Sequence, residues 1–367
     1  MNQTPRPFHT LFKALILFVT VNLAYGLIQP PVGELSAYNR LFPGLKRMSF
    51  GSYGNPFAVE LHNADAMFAS HEISAGRQDD EIRVALIGDS TVWGDGLDIP
   101  DTLSEQWNAL APHCNGKRVQ IYNLGYPHPS ILKDLVFIEE AKERRPDVIV
   151  WMITLNTVMN QYRVNPFLTE NRVRILELID AYDIPYGARK ILSETPTGFY
   201  EQTLMGQRSF LARWIKLQAL GLIWTATGRD FPITHVQAEP AAADVKKDPS
   251  YRDLEPGTDL RTWLLLRALS VGFDLTGEIP LLLVNEPIYI ARGMNSDIRY
   301  NDLYPRWAFD QYREIIAAQA RASSLPYLDL WDAIPPENFT DSLHLSAEGE
   351  RLLAERLHSA VLSTVCK

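Results

Sequence analysis

The sequence predicts a doubly wound α/β domain built on a parallel sheet of five strands. Three observations predict it. Short apolar runs rich in β-branched residues, "IRVALIG" (82–88), "VQIYNLG" (119–125) and "DVIVWMIT" (147–154), alternate with stretches of helical periodicity. The alternation resumes late in the chain with "IPLLLVNEP" (279–287) and "PYLDLWD" (326–332), each followed by a helical pattern. The first run is apolar almost throughout, as expected of a strand buried on both faces.

The chain starts differently. Residues 1–31 carry Arg6 and Lys13, then an apolar stretch from Ala14 to Ile28 that Pro30 and Pro31 stop. The stretch is a little short for a hydrocarbon core of about 30 Å, and Leu11 and Phe12 extend it if Lys13 snorkels. It reads as an uncleaved signal anchor, with a signal peptide cut after Gly26 as the alternative. Basic residues before the apolar stretch put the body of the protein outside the cytoplasm in either case.

Residues 32–80 read as a connecting segment, with "LFPGLKRMSFGSYGNPF" as loop and a short helix within "AVELHNADAMFASHEI". The domain proper is expected over 81–367. After the first strand a helix is expected over 102–111. "SILKDLVFIEEAKERR" (130–145) has helical spacing, with Arg144 and Arg145 at the end that favours cations and Pro146 as the stop. A largely helical insertion is expected at about 160–275. It holds "RVRILELIDAY", then "SFLARWIKLQALGLIWTATG", then a polar loop, "QAEPAAADVKKDPSYRDLEPG". The second of these either packs on the domain or forms a lid or membrane-facing surface. "RWAFDQYREIIAAQARASS" and "SAEGERLLAERLHSAVLS" are the closing helices.

Composition narrows the function. A net charge of −9 argues against nucleic acid as a partner. The two cysteines, Cys114 and Cys366, lack metal-ligand spacing and read as incidental thiols, with a disulfide left open. No HExxH or CxxC pattern is present, and no glycine-rich phosphate loop follows the first strand.

Ligands of an open α/β sheet gather at the carboxyl ends of its strands. Ser90 follows the first strand there. A serine hydroxyl needs a base to become a nucleophile. "NFTDSLHLS" supplies Asp341 and His344, spaced so that the carboxylate can fix the imidazole while its other nitrogen faces a serine. Gly125 ends the second strand and Asn156 follows the third. The N–H groups of Ser90 and Gly125 and the amide of Asn156 are candidate donors to the oxyanion of acyl transfer. Trp93, His128, Asn285 and Glu286 are candidate substrate-lining residues at the same rim. The remaining histidines, His235 among them, read as surface or packing residues.

Gly88-Asp89-Ser90, Gly125, Asn156 and Asp341-x-x-His344 together resemble the four sequence blocks of the SGNH (GDSL-like) hydrolases, over about two-thirds of the chain. The resemblance implies a flavodoxin-like three-layer α/β/α sandwich. It implies Ser90 as nucleophile, His344 as base, Asp341 as its orienting acid, and Ser90, Gly125 and Asn156 as the oxyanion hole. No metal or organic cofactor is implied. The third block departs from the usual Gly-x-Asn-Asp, reading Thr154-Leu155-Asn156-Thr157.

An exported domain of this kind is expected to be an esterase acting on acylated cell-surface or exported glycans. An O-acyltransferase acting on an exported polysaccharide is the alternative, with a membrane-bound acyltransferase as a possible partner. A non-catalytic glycan-binding module is a second alternative. If His344 is the base, activity is expected to rise through a pH near the ordinary imidazole pKa of about 6.5.

Overall fold

A computed structural model of the chain describes residues 7–42, 44–50, 59–159, 164–194, 198–227 and 241–366. His235, residues 1–6 and the start of the polar loop expected at 237–257 lie outside them.

In chain order the principal elements begin with α1 (Pro7–Ile28), β1 (Glu81–Gly88), α2 (Leu103–Ala109), β2 (His113–Cys114), β3 (Lys117–Gly125), α3 (Ile131–Glu143) and β4 (Val148–Ile153). There follow α4 (Arg172–Ala181), α5 (Arg208–Thr227), α6 (Leu266–Thr276), β5 (Leu281–Asn285), α7 (Arg306–Ala322), β6 (Tyr327–Asp329) and α8 (Ala347–Val365).

The strands form one sheet in the order β2-β3-β1-β4-β5-β6. β3, β1, β4, β5 and β6 pair in parallel. Counted among themselves, these five run 2-1-3-4-5, the flavodoxin-like order. The sheet has six strands rather than the expected five, because β2 pairs antiparallel with the start of β3. Asn115 and Gly116 both have positive φ, at 51° and 78°, so they close a two-residue hairpin there.

Alternate residues of each strand face opposite layers. Ala85, Ile87, Trp151 and Leu283 pack with α3, α6 and α7. Val84, Leu86, Val150 and Leu282 pack with α2 and α8. All eight residues of β1 are buried. At about 1.5–3 kcal/mol for each fully buried Val, Leu or Ile side chain, this two-sided burial fixes the sheet's position.

Segment 32–80 is built into the domain. Met48, Leu61, Met67 and Phe68 are buried in the core, and Asn63 caps the helix Ala64–Ser70 by accepting from Ala66 N at 3.0 Å. Cys114 and Cys366 form a disulfide, which replaces the incidental thiols expected from sequence. The hairpin at 115–116 and the end of α8 bring them together, with Cα atoms 5.6 Å apart.

α1 is 22 residues long, about 33 Å, which is enough to cross a hydrocarbon core. It extends the apolar stretch by one turn or more on its N-terminal side. Among the described residues it is the one helix long and apolar enough to cross a membrane, with a mean hydropathy of 2.0 and little of its surface buried.

Candidate active site

The parallel register brings the strand ends to one rim: Gly88 pairs with Gly125, Ile153 with Asn285, and Asn285 with Asp329. The strand order reverses direction at β1, so a crevice opens between the carboxyl ends of β1 and β4. Ser90 follows β1 and Asn156 follows β4 on its two sides.

Ser90 opens a one-turn helix, Ser90–Trp93, which Asp89 caps through Thr91 N and which Gly94 closes at φ 85°. A side chain at Gly94 would be strained at that φ and would meet Thr102 Cγ2 at 2.6 Å. The turn thus holds the hydroxyl at the rim. His344 Nε2 lies 2.9 Å from Ser90 Oγ, across 254 positions of sequence. His344 Nδ1 lies 2.6 Å from Asp341 Oδ2. The other carboxylate oxygen of Asp341 accepts from the backbone N–H of Leu343 at 2.8 Å and of His344 at 2.7 Å.

These contacts set the electrostatics. Burial alone would lower the His344 pKa, but the hydrogen bond and charge of Asp341, with Asp95 and Asp89 beyond, raise it above the ordinary imidazole value. Burial alone would raise Asp341, but the bond to His344, its charge and the two backbone donors hold the carboxyl below its usual range. Asp341 therefore stays ionised, and Nδ1 of His344 keeps the proton that points at it.

The loop carrying Asp341 and His344 is a tight turn. Thr340 N donates to His344 O at 2.8 Å, and Phe339 bridges Leu345. Asn301, fully buried, ties it to the body by donating to Ser342 O at 3.1 Å and Tyr289 O at 2.9 Å. Ser346 then caps α8 by accepting from Gly349 N.

Asn156 sits in a one-turn helix, Leu155–Val158, whose two threonines form a reciprocal cap. Thr154 Oγ1 accepts from Thr157 N at 3.3 Å, and Thr154 N donates to Thr157 Oγ1 at 3.2 Å. Thr157 Oγ1 also donates to Asp89 Oδ2 at 3.3 Å, which ties this turn to the Ser90 turn. Thr154 and Thr157 thus brace the turn that carries Asn156.

The Asn156 side-chain oxygen accepts from Tyr251 OH at 2.9 Å and Arg252 Nη2 at 2.8 Å. Burial pushes the Tyr251 phenol up, so it donates at neutral pH. With two donors on Oδ1, the amide's NH2 end is oriented as a donor. Tyr251 and Leu254 exchange backbone hydrogen bonds at 2.8 and 2.9 Å around a two-residue turn, with Arg252 and Asp253 at φ 48° and 67°. Positive φ at two non-glycine residues is strained, of order 1–3 kcal/mol each. Sequence reading missed this pair, since the surrounding stretch reads as a polar loop. No spacing signal links it to Asn156, 95 positions away.

Gly125 differs from expectation. Its N–H donates to Asn123 Oδ1 at 3.0 Å and is turned toward that side chain. Glycine is required there by close packing, because a Cβ would lie 2.3 Å from Trp93 N.

Nor do the four expected lining residues line the crevice as a group. Trp93 is buried, donates to Met48 O at 2.8 Å and stacks beneath Arg47. Asn285 is buried between strands, donating to Asp329 Oδ1 at 2.8 Å and accepting from Tyr312 OH at 3.1 Å. Both were drawn inward because sheet-edge and turn residues also close the core. His128 is half-buried against Phe50, His62 and Tyr126, and burial, with the charges of His62 and Lys133, lowers its pKa to about 4. Glu286 is buried behind the turn that carries Ser90, where its Oε2 accepts from Thr91 Oγ1 at 2.5 Å. Burial and the Asp89 charge push its carboxyl pKa well up from the ordinary value.

Below the rim, Lys133 is fully buried. Its ammonium donates to Gly88 O at 2.6 Å and Tyr126 O at 3.3 Å, and lies 2.9 Å from Asp134 Oδ1. It joins the ends of β1 and β3 beneath the reacting groups. Among the described residues no cluster of His, Cys, Asp and Glu could hold a metal ion.

No family model matches the chain, and no curated protein matches it. Among solved structures it is similar to a lipase/acylhydrolase from Enterococcus faecalis, at 14% identity and TM-score 0.40, over 77% of this chain and 96% of that one. It is also similar to a member of the lipolytic protein G-D-S-L family from Veillonella parvula DSM 2008, at 12% identity and TM-score 0.37, over 76% and 97%. A carbohydrate acetylesterase family member from Sinorhizobium meliloti matches at 12% identity and TM-score 0.34, over 77% and 99%. Likeness this slight carries neither fold nor activity. The site stands on its own geometry: the 2-1-3-4-5 order of the parallel strands, Ser90 after the first of them, and the contact chain from Ser90 to His344 to Asp341 just before the last helix.

Proposed function

We propose that the chain is a serine ester hydrolase of the SGNH type, held at a membrane by α1 with its catalytic domain outside the cytoplasm. Acylated cell-surface or exported glycans are its proposed substrates. The single observation that carries the hydrolytic reading is the contact chain Ser90 Oγ, His344 Nε2, His344 Nδ1, Asp341 Oδ2, at 2.9 and 2.6 Å. A binding module has no use for an imidazole poised between a hydroxyl and an ionised carboxylate.

In this reading His344 takes the Ser90 proton as Oγ attacks the ester carbonyl. The developing oxyanion is met by the Ser90 N–H and the Asn156 amide. His344, now protonated and stabilised by Asp341, gives its proton to the leaving alcohol as the tetrahedral centre collapses. Water, deprotonated by the same imidazole, then attacks the acyl-enzyme and releases the acid. Gly125 is assigned a packing role rather than a place among the oxyanion donors.

Placement outside the cytoplasm is supported by the length and exposure of α1, by the basic residues before it and by the disulfide, which persists in oxidising compartments. The reading is tested with nitrophenyl acetate and an acetylated polysaccharide. The protein should release acetate from both, and Ser90→Ala should release it from neither while keeping its circular dichroism and melting point. Turnover that survives Ser90→Ala removes the catalytic assignment.

A further inference from the structure

The exposed large apolar side chains are unevenly spread. Outside α1, most of those among the described residues belong to two short segments, 35–42 and 199–223, and only five lie elsewhere. The two segments touch: Trp214 Nε1 donates to Leu35 O at 3.0 Å.

The start of the second segment packs on the C-terminal end of α1, which is docked rather than trailing. Asn22 and Gly26 are the buried residues of α1. Asn22 Oδ1 accepts from Met205 N at 2.9 Å, Tyr25 OH donates to Gln207 Oε1 at 3.0 Å, and Gln29 donates to Gln202 at 2.9 Å. Gly26 lies against Phe199, where a Cβ would come within 3.0 Å of the ring. Gly26, after which a signal peptidase would cut, is thus packed against the insertion, with Leu27 beyond it exposed.

α5 continues from this interface. Leu217, Leu220, Gly221 and Trp224 form its buried face. Its outward face carries Ala212, Ile215, Ala219, Leu222, Ile223 and Ala226, spaced by helical turns, with Lys216 exposed among them and Ile215 59% exposed. The helix holds Arg208, Arg213 and Lys216 and no acidic residue. Packing on its own domain explains the first face and not the second. An apolar outer face with cations and aromatic residues nearby suits the boundary of a bilayer.

We propose that α1 is retained after export and that α5, with the exposed residues at 35–42 and 199–200, lies on the same lipid bilayer that α1 crosses. This rests on the anchored reading of α1 given above. The lipid is the occupant because residues 202–207, which lead directly into α5, are hydrogen-bonded to the end of the membrane helix. The insertion therefore fixes the height and tilt of the crevice above the membrane, since Tyr251 and Arg252 of the same insertion reach Asn156.

The test uses the full chain in vesicles of phosphatidylcholine and phosphatidylglycerol, with and without brominated acyl chains. Both native cysteines are in the disulfide, so a new cysteine gives a single labelling site. An environment-sensitive fluorophore is placed at Leu17→Cys in α1, Ala219→Cys on the outer face of α5, or Glu355→Cys on α8, across the sheet. Retained ester turnover shows that each variant folds. Labels at 17 and 219 should be blue-shifted and quenched several-fold more by bromolipid than the label at 355, and mass spectrometry should find residues 1–26 still attached. Quenching at 17 with a water-like, unquenched label at 219 overturns the docking of α5 and leaves the anchor standing. A chain cleaved after Gly26, or no quenching at 17, overturns the anchor as well. A dry but unquenched label at 219 that cross-links to its counterpart in a second chain replaces the lipid with a second copy and overturns the proposal.

Discussion

The two sides of the crevice are built in different ways. On one side Ser90, His344 and Asp341 sit in turns closed by local bonds, the Asp89 cap, the Gly94 turn and the two backbone donors to Asp341, and pinned from the sheet's rim by Thr157, Glu286 and Asn301. On the other, Asn156 is oriented by Tyr251 and Arg252, which reach it from a strained turn in the insertion. The proton-transfer side is thus set by the sheet and its immediate loops. The oxyanion side depends on a segment outside the sheet, inserted between β4 and β5. The first should fail outright when broken, and the second by degrees.

Ser90→Ala is expected to lower kcat/KM by at least about 10⁴-fold, read as nitrophenyl acetate hydrolysis. Asp341→Asn should come next, at about 10³–10⁴-fold, and should also move the pH profile. With Asp341 ionised, the imidazolium is favoured, so His344 becomes a free base only as pH rises through a value above 6.5. Without that charge, burial dominates and the limb should move to lower pH. A profile of Asp341→Asn that overlays the parent's would sink this account of the proton-transfer side.

On the oxyanion side, Asn156→Ala should cost about 10²–10³-fold in kcat with little change in KM. Arg252→Ala should cost about tenfold, the scale of one charge-assisted hydrogen bond. Because Arg252 is a positioning residue that acts through Asn156, adding Arg252→Ala to Asn156→Ala should cost nothing more. A full tenfold further loss in the double variant would show that Arg252 acts elsewhere. The smallest effect on turnover is expected from Cys114→Ser with Cys366→Ser, which leaves kcat unchanged but lowers stability by about 2–4 kcal/mol in chemical denaturation.

The same contrast explains what could be read from the sequence. Strands buried on both faces announce themselves as apolar runs, so the five parallel strands and their helices are legible. Asp341 and His344 are legible as a pair because their spacing is local, and Ser90 because it follows a strand whose carboxyl end the parallel sheet brings to the same rim. β2 was missed although Asn115-Gly116 is a hairpin signal, because a two-residue strand leaves no periodicity. The brace on Asn156 was not legible at all, since it joins residues 95 positions apart through a segment with no repeat or apolar pattern. At Gly125 the structure adds a constraint the sequence did not display: Trp93 packs on its Cα, and Asn123 takes its N–H. Asn285 and Trp93 show the converse limit, where a rim position in the sequence turns inward to close the core.

The most direct measurement is inactivation by an alkyl fluorophosphonate, with the adduct located by peptide mass spectrometry and its rate followed against pH. The account predicts a single adduct on Ser90, formed at a rate that climbs through a pH above 6.5 and is abolished by His344→Ala. An unmodified Ser90 in folded protein, or a Ser90 that reacts equally fast without His344, would contradict it.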